Sequence, residues 1–141
     1  MSVGDHRTET TARVNEQIEQ MRENSKMRVY VDGNPKEVCC VAASDIGVLG
    51  RSERAKLDGE NTNNVAEYRA VLFGLYKHPE ATRVYSDSQL VVKQLQGNYA
   101  VRNQTLLFWW GRLQKRLEQL GHEVKFTWVP REDNPARKVL G

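Results

Sequence analysis

The stretch Thr82-Arg-Val-Tyr-Ser-Asp87-Ser-Gln-Leu-Val-Val-Lys-Gln-Leu-Gln96 decides the fold. Its first five residues read as a short β-strand. From Ser88 the pattern turns helical: Leu90, Val91, Gln94 and Leu95 recur at helix spacing until Gly97 stops them. A strand therefore feeds a helix through Asp87. Upstream, Val65, Tyr68, Leu72, Leu75 and Tyr76 share one face of a helix over 61–77, closed by Pro79. Before it lie three strand-like runs. Arg28–Asp32 stops at the turn signal Gly33-Asn34-Pro35, Lys36–Ala43 follows, and a third run begins with Ile46–Leu49. Downstream, Leu106, Leu107, Trp110, Leu113, Leu117 and Leu120 mark a long helix over 103–120, ended by Gly121, and Glu123–Val129 is a last strand closed by Pro130. Hairpin-linked strands followed by β/α alternation predict an α/β domain: one mixed sheet flanked by helices.

Composition limits what such a domain does. The chain has 141 residues, enough for one domain, and 39% are hydrophobic, enough for one core. No apolar run approaches the ~20 residues of a membrane-spanning helix. The polar start lacks the apolar run of a secretory signal, so a cytoplasmic protein with no membrane partner is expected. Cys39 and Cys40 are adjacent, which fits neither a disulfide framework nor a C-x-x-C site. The formal charge of +3 is too small to name a partner. Its distribution says more: residues 1–27 carry a net −1 and residues 28–141 a net +4. The first segment reads as a leader with one short amphipathic helix on Val14, Ile18 and Met21, and residues 28–141 as the domain.

Three acids stand at junctions of strand and helix. Each has a local explanation: Asp32 could start a hairpin turn, Glu67 lies at capping-box spacing from Asn64, and Asp87 could cap the following helix. If the first and fourth strands are neighbours, however, all three converge. Three close carboxylates repel unless a counter-charge is present, and hard divalent cations with oxygen ligands supply it. Such clusters can hold two metals for phosphodiester chemistry.

Four stretches carry a resemblance: Tyr-Val-Asp-Gly (30–33), Thr-Asn-Asn-Val-Ala-Glu-Tyr-Arg-Ala (62–70), Tyr-Ser-Asp-Ser-Gln-Leu-Val-Val-Lys-Gln-Leu (85–95) and Trp-Val-Pro-Arg-Glu-Asp-Asn (128–134). In their order and spacing, over roughly residues 28–140, the chain resembles the type 1 ribonucleases H, in particular the handle-less members. The resemblance implies the ribonuclease H-like fold, with a five-stranded mixed sheet. It also implies hydrolysis of the RNA strand of RNA–DNA hybrids with Mg²⁺ or Mn²⁺, two ions per site, giving 5′-phosphate and 3′-hydroxyl ends. Asp32, Glu67 and Asp87 would be metal ligands. Gly33, Asn34, Asn63, Asn64, Ser88, Gln89 and Arg131 would meet substrate. Amides suit that role, because they pair with the 2′-hydroxyl as donor or acceptor. The partner expected is an RNA–DNA hybrid, with double-stranded RNA as a further candidate, bound by a monomer.

Two departures stand out. The family's glycine-rich loop after the first Asp is missing, since Gly33-Asn34-Pro35 runs straight into Lys36. The family's fourth carboxylate, four residues after an Asn, falls on Lys138 counted from Asn134. Asp133, or Glu132, is the candidate substitute, and Arg137 or Lys138 could meet phosphate instead. A binding module that has lost catalysis is therefore the alternative. Lys93, Arg102, Arg112, Lys115 and Arg116 are the basic residues expected to track a hybrid. Of Trp109 and Trp110 one is expected in the core, and Trp128 is expected in the core with Phe126.

Overall fold

The computed structural model describes residues 10–17, 27–44, 47–48 and 52–141. Residues 10–17 form an exposed helix, α1, while Ile18 and Met21 of the expected leader helix lie outside the described residues. Strands β1 (Arg28–Asn34) and β2 (Glu37–Ser44) form an antiparallel hairpin. Gly33, expected in the turn, stays in β1 opposite Val38. Asn34 closes the turn, its Oδ1 accepting the backbone N–H of Lys36 and of Glu37 at 2.9 Å each. The outer edge of β2 is covered by two short strands sharing one lane. β3 (Gly47–Val48) pairs with Ala43 and Ser44, and β4 (Glu53–Lys56) with Glu37–Cys40. On the other side of β1, β5 (Arg83–Ser86) runs parallel to it, and β6 (Lys125–Trp128) parallel to β5. The result is a mixed sheet five lanes wide, in the order β3/β4, β2, β1, β5, β6.

Helices α2 (Asn63–Lys77), α3 (Gln89–Leu95) and α4 (Gln104–Leu120) cover one face, and α5 (Pro135–Leu140) covers the other. Strand alternation divides the side chains between them. Val29, Val31, Val38, Cys40 and Val84 pack with Val65, Tyr68, Leu75, Val91, Leu106 and Leu113 in the main core. Tyr30, Cys39 and Val41 pack with Ala136, Val139 and Leu140 beneath α5. The adjacent cysteines thus face opposite ways, both buried, and burial pushes their thiols up to about 11 for Cys39 and about 12 for Cys40.

The α2–β1 contact is unusually close because small residues line it. Ala66, Ala70 and Gly74 recur every fourth residue along α2. A Cβ on Gly33 would run into the Ala66 carbonyl, and one on Gly74 would come within 2.7 Å of Val31 Cγ1. Glycine in Val-Asp-Gly is therefore a packing residue, which is why it does not turn. The structure also corrects three expected core positions. Tyr76 is 54% exposed and lies against the Arg116 guanidinium, 4.2 Å from its ring; Leu107 is also exposed, one residue off the inward stripe of α4. Trp128 is 41% exposed: it stands on the edge strand β6 and faces an open groove beside α3 instead of closed packing. Trp109 and Trp110 are both half-buried against the core. Among the described residues, no helix is long and apolar enough to cross a membrane.

Candidate active site

Asp32 sits near the end of β1, Asp87 directly follows β5, and Glu67 lies in the second turn of α2. Since β1 and β5 are parallel neighbours, their carboxyl ends coincide, the edge where open α/β sheets bind ligands. The close α2–β1 packing brings Glu67 to the same point. One carboxylate oxygen from each residue lies within 4.8 Å of the others. The local explanations for the three acids fall away. Thr62 caps α2, its Oγ1 accepting Val65 N–H at 3.1 Å, so Glu67 lies beyond a capping box. Ser88 caps α3, its Oγ accepting Val91 N–H at 3.3 Å, so Asp87 is not the cap. Asp32 is inside a strand.

The electrostatics of the cluster are unfavourable without a cation. Burial pushes the Asp32 carboxyl up, the Asp87 charge pushes it further, and a hydrogen bond from Glu67 and the Arg137 charge offset part of this. Glu67 is pushed up to about 9, first by burial and then by the charges of Asp32 and Asp87. Asp32 Oδ1 and Glu67 Oε2 are buried and have no hydrogen-bond partner. Two orphaned carboxylate oxygens beside a third carboxylate fit a hard divalent cation, which would satisfy the oxygens and offset the repulsion.

Asn134, which served in the sequence only as the point from which Lys138 was counted, is a site residue to which the sequence reading gave no role. It is fully buried, and its Nδ2 donates to Val31 O and to Asp87 Oδ2, both at 3.0 Å, while its Oδ1 caps α5 through Ala136 N–H at 3.1 Å. One side chain thus fixes the end of β1, the Asp87 carboxylate and the start of α5. The Asn-Pro pair, a helix cap followed by proline in the first turn, was the available signal.

Asn63, Asn64 and Gln89 are exposed in the first turns of α2 and α3, beside the acids. Ser88 Oγ is engaged as a cap, Gly33 is buried against α2, and Asn34 Oδ1 is used by the hairpin turn. Arg131, Glu132 and Asp133 form an exposed 3₁₀ turn after β6, and the carboxylate cluster does not include Asp133. On α5, Arg137 is half-buried with its charge felt at Asp32, and Lys138 is exposed.

Residues 38–139 match the family model described as "Reverse transcriptase-like". The bifunctional protein Rv2228c of Mycobacterium tuberculosis is 38% identical over 91 residues, 62% of this chain and 24% of that protein. The matched region thus spans about a quarter of the length of the curated relatives. Ribonuclease H1 of the archaeon Halobacterium salinarum superposes with a TM-score of 0.73 at 27% identity, covering 82% of this chain and 94% of that one. The N-terminal ribonuclease H domain of Rv2228c, solved as a fusion with maltose binding protein, gives 0.67 at 30% identity, with 78% and 86% covered. LC11-RNase H1, solved in complex with an RNA/DNA hybrid, gives 0.70 at 26% identity, with 82% and 100% covered. With a five-lane mixed sheet, three acids at its carboxyl edge and these relatives, the chain belongs to the ribonuclease H family.

Proposed function

We propose that the chain is a metal-dependent endoribonuclease that hydrolyses the RNA strand of RNA–DNA hybrids, leaving 5′-phosphate and 3′-hydroxyl ends. The observation that carries this reading is the convergence of Asp32, Glu67 and Asp87 with two buried oxygens left unpaired. Those residues would hold Mg²⁺ or Mn²⁺, two ions in the full reading. Bound ions would supply counter-charge at the scissile phosphate and a nucleophile at neutral pH. The chain's own groups do the rest. Asn134 orients the Asp87 carboxylate, and the exposed amides of Asn63, Asn64 and Gln89 are available to the 2′-hydroxyl. A second reading, a hybrid-binding module without catalysis, is favoured by the cations Arg137 and Lys138 on α5.

The test is a labelled hybrid beside single-stranded RNA, double-stranded RNA and duplex DNA, in Mg²⁺, Mn²⁺ or chelator. Metal-dependent cutting of the hybrid RNA alone is expected. Asp87→Asn should lower it more than about 100-fold, beyond the roughly 10–100-fold that losing a ligand's supporting hydrogen bond typically costs. Tight binding with no cutting under any metal overturns the nuclease reading in favour of the module.

A further inference from the structure

The carboxylate cluster has a cation built beside it. A Cβ on Gly33 would meet Ala66 on the α2 side of β1, so its neighbour Asp32 points to the opposite face, the one that α5 covers. Tyr30, two residues earlier, already packs beneath that helix. The cross-strand partner of Asp32 is Cys39, which shares a cluster with Ala136, and Arg137 is the next residue on α5. The start of α5 is pinned at the same place, because Asn134 donates to Asp87 Oδ2 and to Val31 O at 3.0 Å each. Arg137 lies three residues beyond this cap, on the same side of the helix, and is half-buried. Lys138 is exposed, and Val139 and Leu140 pack on the core. Among the described residues the Arg137 guanidinium forms no ion pair, with Glu132 and Asp133 of the preceding turn or with any other acid. Its charge is left to act on Asp32.

We propose that Arg137 is a fixed counter-charge to Asp32, Glu67 and Asp87, and that it competes with a divalent cation for them. With no metal bound, the guanidinium offsets part of the repulsion among the three acids. When a metal approaches, the same charge repels it, so the site holds the ion less tightly than three converging carboxylates otherwise would. This rests on the metal-dependent reading above. A structural role for Arg137 alone has the opposite sign, since a disturbed α5 would release Asn134 from Asp87, scatter the acids and weaken metal binding.

The test is Mn²⁺ binding to the protein without nucleic acid, titrated through the paramagnetic resonance of the free ion. Arg137→Gln should bind Mn²⁺ on the order of tenfold more tightly than wild type, from the lost repulsion. Arg137→Lys, which keeps the charge, should stay close to wild type. Lys138→Gln, one residue along and exposed, should change little. In thermal unfolding at neutral pH, Arg137→Gln should melt lower than wild type in chelator and gain more from added Mn²⁺. Equal or weaker Mn²⁺ binding in Arg137→Gln overturns the counter-charge. Equal tightening in Lys138→Gln overturns it too, because the effect would then belong to net charge. Cleavage of a labelled hybrid judges the nuclease reading separately. Tighter Mn²⁺ binding in Arg137→Gln with no cutting under any metal leaves the counter-charge standing and sinks the nuclease. Metal-dependent cutting with unchanged affinity does the reverse. No Mn²⁺ binding by any of these proteins sinks both.

Discussion

Glu67 is the residue whose chemistry departs furthest from its ordinary behaviour. Its carboxyl sits at about 9 against an ordinary 4.5, and that of Asp32 is raised as well. Between those values the metal-free native state keeps protons that the unfolded chain has already lost. Stability should therefore be greatest below about pH 4.5 as far as these groups are concerned, and should fall as pH rises toward 9. Denaturant titrations in chelator at pH 5 and pH 8.5 check this: Glu67→Gln should flatten the difference, and Mg²⁺ should stabilise the wild type more at pH 8.5 than at pH 5. Asn134 gives a second expectation. Asn134→Ala removes three hydrogen bonds and leaves the Val31 carbonyl buried without its partner, a cost of roughly 2–4 kcal/mol in equilibrium unfolding. Cleavage by the folded fraction should fall about 10–100-fold, since Asp87 loses its support.

At the scale of elements, two glycines on helices or strands have opposite fates. Gly33→Ala forces β1 and α2 apart at the point where Asp32 and Glu67 meet, so it should cost more than the ~1–3 kcal/mol of ordinary overpacking. Cleavage should drop with it. Gly111 is exposed inside α4, with open space where a Cβ would go. Gly111→Ala should stabilise the protein by about 1 kcal/mol, leaving cleavage unchanged, as thermal unfolding and a rate assay would show. The same elements mark how far sequence reasoning reached. Period-2 and period-3.6 patterns, with Gly97 and Gly121 as stops, located β1, β2, α2, α3 and α4 within a few residues, although the helix caps are Thr62 and Ser88 where the spacing suggested Asn64 and Asp87. They also put the three acids at strand–helix junctions. What was not legible depends on three-dimensional cover. Trp128 and Phe126 look alike in a strand until one knows that the space between Trp128 and α3 is left open. Gly33 reads as a turn until α2 is seen against it. The outer lane, divided into β3 and β4, has too little alternation in its polar second half to declare itself. Asn134 acts through carbonyl and carboxylate partners far away in the chain, which no local pattern encodes.

Across the whole molecule, the basic residues sort into those already used and those available. Arg116 donates to Leu75 O and covers Tyr76, and Arg112 lies 5.3 Å from the Trp109 ring centre and 5.8 Å from that of Phe108. Arg102 and Lys115 are exposed on the link before α4 and on α4 itself. Hybrid affinity should fall steeply with salt. Arg116→Ala should lower the unfolding midpoint with little change in the salt slope, because its guanidinium is committed to the fold; a full unit of lost slope would show that it meets phosphate instead.

The two cysteines close the picture from a different direction. Being buried on opposite faces of β2, with thiols that stay protonated at neutral pH, they offer no nucleophile to alkylating dyes or to oxidants. A cysteine introduced on the surface, for instance at Gln96 or Lys115, should therefore be the one thiol among the described residues that a maleimide reporter labels in the native protein. Distance measurements between such a reporter and a tagged nucleic acid then need no prior removal of native cysteines.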